Sequence, residues 1–99
     1  MEIVYRNKKI EKICNDSSKS IKKYGEEMTE KIQLRIDQIS STESVDWLIK
    51  YKVGRCHTLS GDRYGQYAMD LVQPYRLVFF VNKSNTIQIA EIVEIIDYH

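Results

Sequence analysis

His57, Arg76, Asp97, Tyr98 and His99 have side chains that could together act on a phosphodiester. Histidine titrates near neutrality, so an imidazole can take or give a proton there. Arginine offers a planar fork to two phosphate oxygens, and its charge counts most where negative charge accumulates in a transition state. An aspartate beside an imidazole orients it or raises its pKa. A tyrosine can stack on a base or assist proton transfer. These are the parts needed when an RNA 2′-hydroxyl attacks the adjacent phosphate: a base, an acid for the leaving 5′-oxygen, and positive charge on the phosphate. The scheme needs no metal. Which histidine is acid and which base is left open by the residues. Each also has a plainer account. A strand histidine is usually a hydrogen-bonded surface residue, and last residues are often loose. Apolar alternation runs to Ile96, so looseness would be confined to 97–99.

The charge around these residues is uneven. Residues 48–83 hold Lys50, Lys52, Arg55, Arg63, Arg76 and Lys83 against only Asp62 and Asp70. Tyr51, Tyr64, Tyr67 and Tyr75 lie in the same stretch. Cations interleaved with aromatics suit a polyanion with stackable bases, and Lys52, Arg55 and Arg63 are the candidate RNA-binding residues. The rival account is a solvated basic surface over core tyrosines. The net charge of the chain is only +1.

Elements that must position these groups fit within 99 residues, enough for one domain. An apolar content of 42% and a charged content of 29% are those of a globular chain, not a disordered one. The longest apolar run, Leu77 to Val81, is far short of the roughly 20 residues that span a bilayer. No apolar stretch follows the charged N-terminus, so the expected compartment is the cytoplasm. There, Cys14 and Cys56 are expected as free buried thiols. Cys56 and His57 are adjacent and would face opposite ways on a strand, which argues against a metal site.

Ile3 to Tyr5 reads as a strand and Lys8 to Cys14 as two helical turns. Ile21, Tyr24, Met28, Ile32, Ile36 and Ile39 step by three or four, which predicts one helix of about five turns, capped by Ser18 or Ser20 and weakened at Gly25. Ser41 or Thr42 would cap a third helix burying Val45, Trp47, Leu48 and Ile49. Arg55–Leu59 then reads as a strand with Arg55 and His57 on one face. The turn Ser60–Arg63 follows, with strands over Gln66–Val72, Tyr75–Asn82 (apolar on both faces, hence central) and Thr86–Ile96. Pro74 ends the first of these, having no N–H for the ladder. The expected architecture is α+β, with N-terminal helices packed on a mostly antiparallel sheet.

Three segments in order carry a resemblance: R-C-H-T-L-S-G-D-R-Y-G-Q-Y-A-M at 55–69, Y-R-L-V-F-F at 75–80, and E-I-I-D-Y-H at 94–99. Together they resemble HigB, the toxin of host-inhibition-of-growth toxin–antitoxin systems in the RelE/ParE superfamily, associated with plasmid maintenance. The layout matches over nearly the whole chain, 1–99. The resemblance implies a RelE-like fold and a ribosome-dependent endoribonuclease that cuts mRNA in the A site and arrests growth. It implies no cofactor. It also implies a HigA-like helix-turn-helix antitoxin, with operator DNA met only through that partner. On the matching positions, the catalytic histidine falls on His57, the phosphate-binding arginine on Arg76, and the C-terminal triplet on Asp97, Tyr98 and His99. In a regular strand Tyr98 points opposite to Asp97 and His99, so a shared site needs a bend. The chain departs from the pattern at Ser60, where many members carry lysine, and mildly at Tyr75, frequently tryptophan. Two alternatives share the scaffold: a ParE-like inhibitor of DNA gyrase, and a non-catalytic binding module. The basic faces of the first helices are the expected place for an acidic antitoxin.

Overall fold

A computed structural model describes residues 1–83 and 86–98. The chain runs β1 (Glu2–Tyr5), α1 (Lys8–Asn15), α2 (Ser17–Tyr24), α3 (Glu26–Ser41), α4 (Val45–Lys50), β2 (His57–Thr58), β3 (Gln66–Asp70), β4 (Tyr75–Asn82) and β5 (Ile89–Asp97). The five strands form one sheet in the order β1-β5-β4-β3-β2. β1 lies parallel to β5, and the other neighbours are antiparallel. The helices cover one face, giving the α+β architecture expected from the periodicities.

Four helices form where three were expected. Gly25, at φ 90° and ψ 170°, breaks the long apolar stripe between α2 and α3. That backbone conformation is open to glycine and strained for other residues. Met28, Ile32, Ile36 and Ile39 keep their burial on α3, while Ile21, before the break, is exposed. The caps also differ from expectation. Asp16 accepts the N–H groups of Ser18 and Lys19 at the start of α2. Ser44 caps α4 by accepting from Trp47 N. Ser20 is buried instead, and its hydroxyl takes a 2.7 Å hydrogen bond from Thr29 Oγ1, tying α2 to α3. Val45 and Leu48 point into the core as expected, but Trp47 is 50% exposed and lies against Tyr51.

The central strand is β4. On its helix-covered face Leu77, Phe79 and Val81 join Tyr67 and Met69 of β3, Ala90 and Ile92 of β5 and the helical isoleucines. No helix among the described residues covers its other face. There Ala68, Val78 and Val93 form a small apolar floor with Leu59, Phe80 and Ile96 around it. Val78 pairs with Glu94 and Phe79 with Ile92, so Val93 is an extra residue, a β-bulge. The bulge shifts the alternation of β5, placing Glu91, Val93, Glu94 and Ile96 toward the open face.

Candidate functional site

The open face gathers most of the polar residues singled out by the sequence. Cross-strand register lays His57, Ala68, Val78 and Glu94 in one row, with Asp70, Arg76 and Ile96 in the next. His57 thus stands at the β2 edge and Arg76 two strands inward.

His57 is partly buried, and its Nδ1 lies 2.8 Å from the carbonyl oxygen of Arg55. A carbonyl only accepts, so this contact puts a proton on Nδ1, and in the neutral ring the lone pair is then on Nε2. The carbonyl is placed by a tight 3₁₀ turn, Val53–Arg55, in which Lys52, Gly54 and Arg55 have φ of 52°, 56° and 53°. Arg55 is therefore not in a strand, as alternation suggested. Left-handed backbone at a non-glycine residue is disfavoured by roughly 1–2 kcal/mol, so the fold must hold the turn from outside. Arg35 of α3 does so. Its Nε donates to the backbone carbonyl of Asp70 at 2.6 Å, its Nη1 donates to Gln38 at 3.0 Å, and the guanidinium fills the space beside Gly54. Burial lowers the pKa of Arg35 below its ordinary value, with Asp70 acting in the opposite sense.

Asp70 was not among the residues singled out as functional, yet it is the hub of this corner. Its carboxylate pairs with Arg55 Nε at 2.6 Å and with Arg76 Nε at 3.4 Å. Arg76 in turn lies under the ring of Tyr98, 4.5 Å from guanidinium carbon to ring centroid, a cation–π stack. The backbone N–H of Tyr98 donates to Pro74 O at 3.0 Å, which holds the residue beside the β4 start. The sequence did contain a signal for Asp70. A hairpin turning at Pro74 puts Asp70 opposite Arg76.

The other candidates are placed as follows. Arg63, the last residue of the 3₁₀ turn Gly61–Arg63, reaches across the open face to Gln66 and Glu94, both at 2.9 Å. Lys52 is exposed on the turn before Arg55. Asp97 pairs in register with Tyr75, whose ring belongs to the helix-side core, so it lies in the row opposite to that of Arg76. His99 lies outside the described residues. Among the four tyrosines of the basic stretch, Tyr67 is buried and Tyr75 packs on the core, leaving Tyr64 (89% exposed) and Tyr51 open for stacking. Cys14 and Cys56 are free and buried, and burial pushes both thiols up to about 12. Among the described residues no group of three or more His, Cys, Asp or Glu is placed to hold a metal ion.

The architecture is an α+β fold with helices on one face of a mixed sheet, and in this chain the polar cluster lies on the other. The chain is similar in structure to a YoeB/ParE toxin from Agrobacterium tumefaciens, with a TM-score of 0.66, 20% identity and complete coverage of both chains. It is also similar to the toxin fold in a YoeB–YefM complex from Staphylococcus aureus, with a TM-score of 0.63 and 19% identity over 100% of this chain and 97% of that one. No protein-family model and no curated protein sequence matches the chain.

Proposed function

We propose that this chain is the toxin of a bacterial toxin–antitoxin pair, HigB-like in sequence, and a ribosome-dependent endoribonuclease cleaving mRNA in the A site. The observation that carries the reading is the open-face juxtaposition of a tautomer-fixed His57 with the Asp70-linked pair Arg55 and Arg76, the latter stacked on Tyr98. A pure binder has no need of paired acid–base groups. In this scheme Nε2 of His57 takes the 2′-hydroxyl proton and the arginines carry charge developing on the phosphorane. Tyr98 stacks on a base and His99 returns a proton to the leaving 5′-oxygen, whereas Asp97, on the face opposite to Arg76, is turned away from His57. The likeness to a structure solved as a YoeB–YefM complex supports a protein partner. We assign that role to a HigA-like helix-turn-helix antitoxin, through which alone operator DNA is met. Lysines 8, 9, 12, 19, 22 and 23, exposed on α1 and α2, offer it a basic surface. No helix among the described residues is long and apolar enough to cross a membrane. The site of action would be the cytoplasm, where ribosomes are.

A translation-coupled mRNA cleavage assay tests this. Wild type should cut mRNA on ribosomes, and His57→Ala should slow cutting by about 10²-fold or more, the usual worth of a general base. Removing His99 should have a comparable effect. Intact mRNA with wild type would end the nuclease reading. Growth arrest with intact mRNA and blocked supercoiling would instead identify the gyrase-directed alternative. Inertness in both assays would leave a binding module.

A further inference from the structure

We infer that Asp70 is a positioning residue that sets Arg55 and Arg76 as one two-guanidinium clamp for a single phosphodiester of RNA, a refinement that rests on the nuclease reading above. Three independent features lead there. One carboxylate serves both arginines, Oδ2 toward Arg55 Nε at 2.6 Å and Oδ1 toward Arg76 Nε at 3.4 Å. Approach through Nε leaves the terminal nitrogens of each fork as donors to a second anion. The charges of the three groups sum to +1, the complement of the single negative charge of a phosphodiester.

Burial supplies the second feature. Asp70 Oδ1 and Arg76 Nε are both shielded from solvent, and neither makes a hydrogen bond. They face each other within ion-pair range but outside hydrogen-bond geometry, so the inner half of the bridge is held by charge alone. Buried polar atoms without partners are rare and ask for a cause. Long contacts within a binding site commonly tighten when its ligand is bound. An anion drawing the two guanidinium groups together would close this one.

The third feature lies under the sheet. Arg35 holds the Asp70 carbonyl at 2.6 Å and occupies the space beside Gly54, where a Cβ would stand 2.7 Å from Arg35 Nε. One side chain of α3 therefore keys the end of β3, which carries Asp70, to the left-handed turn that carries Arg55. Arg55 itself is 66% exposed, against 14% for Asp70 and 23% for Arg76. The carboxylate is fixed, one arginine is fixed beside it, and the outer arginine is the arm that its charge aims.

The probe is a 2′-O-methyl RNA hexamer, which lacks the attacking hydroxyl and cannot be cut. Arginine Nε–H signals are followed by NMR during titration, with fluorescence anisotropy for affinity. In wild type the Arg55 and Arg76 signals should move together with one midpoint. Asp70→Asn should leave only Arg76 responding and weaken binding at least about 10-fold, the loss of one charge-assisted hydrogen bond, although a negative charge has been removed. Unchanged or tighter binding by Asp70→Asn would overturn the inference, because Asp70 would then compete with phosphate. Should Asp70→Asn misfold, exposed Arg55→Ala answers the same question: a similar loss supports the clamp, and full affinity refutes it. The two readings fail separately. A wild type that binds through both arginines yet leaves ribosomal mRNA intact keeps the clamp and loses the nuclease. Cleavage with neither arginine responding does the reverse.

Discussion

His57 shows how little of a residue's role its identity settles. Any strand histidine can titrate near neutrality, but only the carbonyl of Arg55 at 2.8 Å decides which ring nitrogen keeps its lone pair. The two cysteines illustrate the opposite fate, since burial has removed their chemistry. Their thiols, raised by burial from 9.0 to about 12, bind protons more tightly in the folded chain than in the unfolded one. The associated stability is complete below about pH 9 and is lost as pH climbs toward 12. Urea midpoints measured at pH 7.5 and pH 10.5 should therefore fall for wild type, and fall less for a Cys14→Ala/Cys56→Ala variant. An equal fall in both proteins would show that the thiols do not drive the alkaline loss.

At the scale of elements, the parts that matter most are short. The 3₁₀ turn at 53–55 spans three residues, two of them left-handed, and it aims Arg55 while supplying the carbonyl for His57. Gly54→Ala would add a strained backbone and push Arg35 from its place beside the turn. The expected cost is about 1–3 kcal/mol in urea denaturation, combining the left-handed penalty with a lost hydrogen bond to a charged donor. It should come with a weakened response of Arg55 to the hexamer. Gly25→Ala meets nothing within 4 Å, so only its φ of 90° opposes it. That change should cost about 1–3 kcal/mol from the backbone alone and leave hexamer binding unchanged. Periodicity missed the first of these elements because a three-residue turn has no period. It found α3, whose four buried apolar residues repeat over sixteen positions.

Across the whole molecule, one strand serves two purposes. β4 sends Leu77 and Phe79 into the helix-side core and Arg76, Val78 and Phe80 toward the site. Phe79→Ala removes a fully buried ring and should cost about 3–5 kcal/mol, a large share of the roughly 5–15 kcal/mol that holds a domain of this size together. Thermal unfolding would read this as a large fall in midpoint; a drop of only a degree or two would mean that the core collapses around the void. Among the described residues no helix covers the open face, and Leu59, Phe80 and Ile96 flank its small apolar floor. Its polar groups are thus left near solvent, where a polymer such as RNA can reach them.

The sequence by itself determined the strands of the C-terminal half, the apolar stripe of α3, and the residues worth suspecting. Alternation and three-to-four spacing depend only on which side of an element must be buried, and that is written locally. His57, Arg76 and Asp97 were named from their types and spacing, and Tyr98 from the resemblance. Tertiary structure alone decided that Arg55 leaves the strand for a left-handed turn and that Asp70 joins it to Arg76. The opposite facing of Asp97 and Tyr98 was already given by strand alternation, unlike the Arg55 turn and the Asp70 bridge. The turn and the bridge depend on packing between distant elements, above all Arg35 reaching from α3 to Gly54 and Asp70. A contact spanning 35 residues leaves no local pattern for periodicity to reveal.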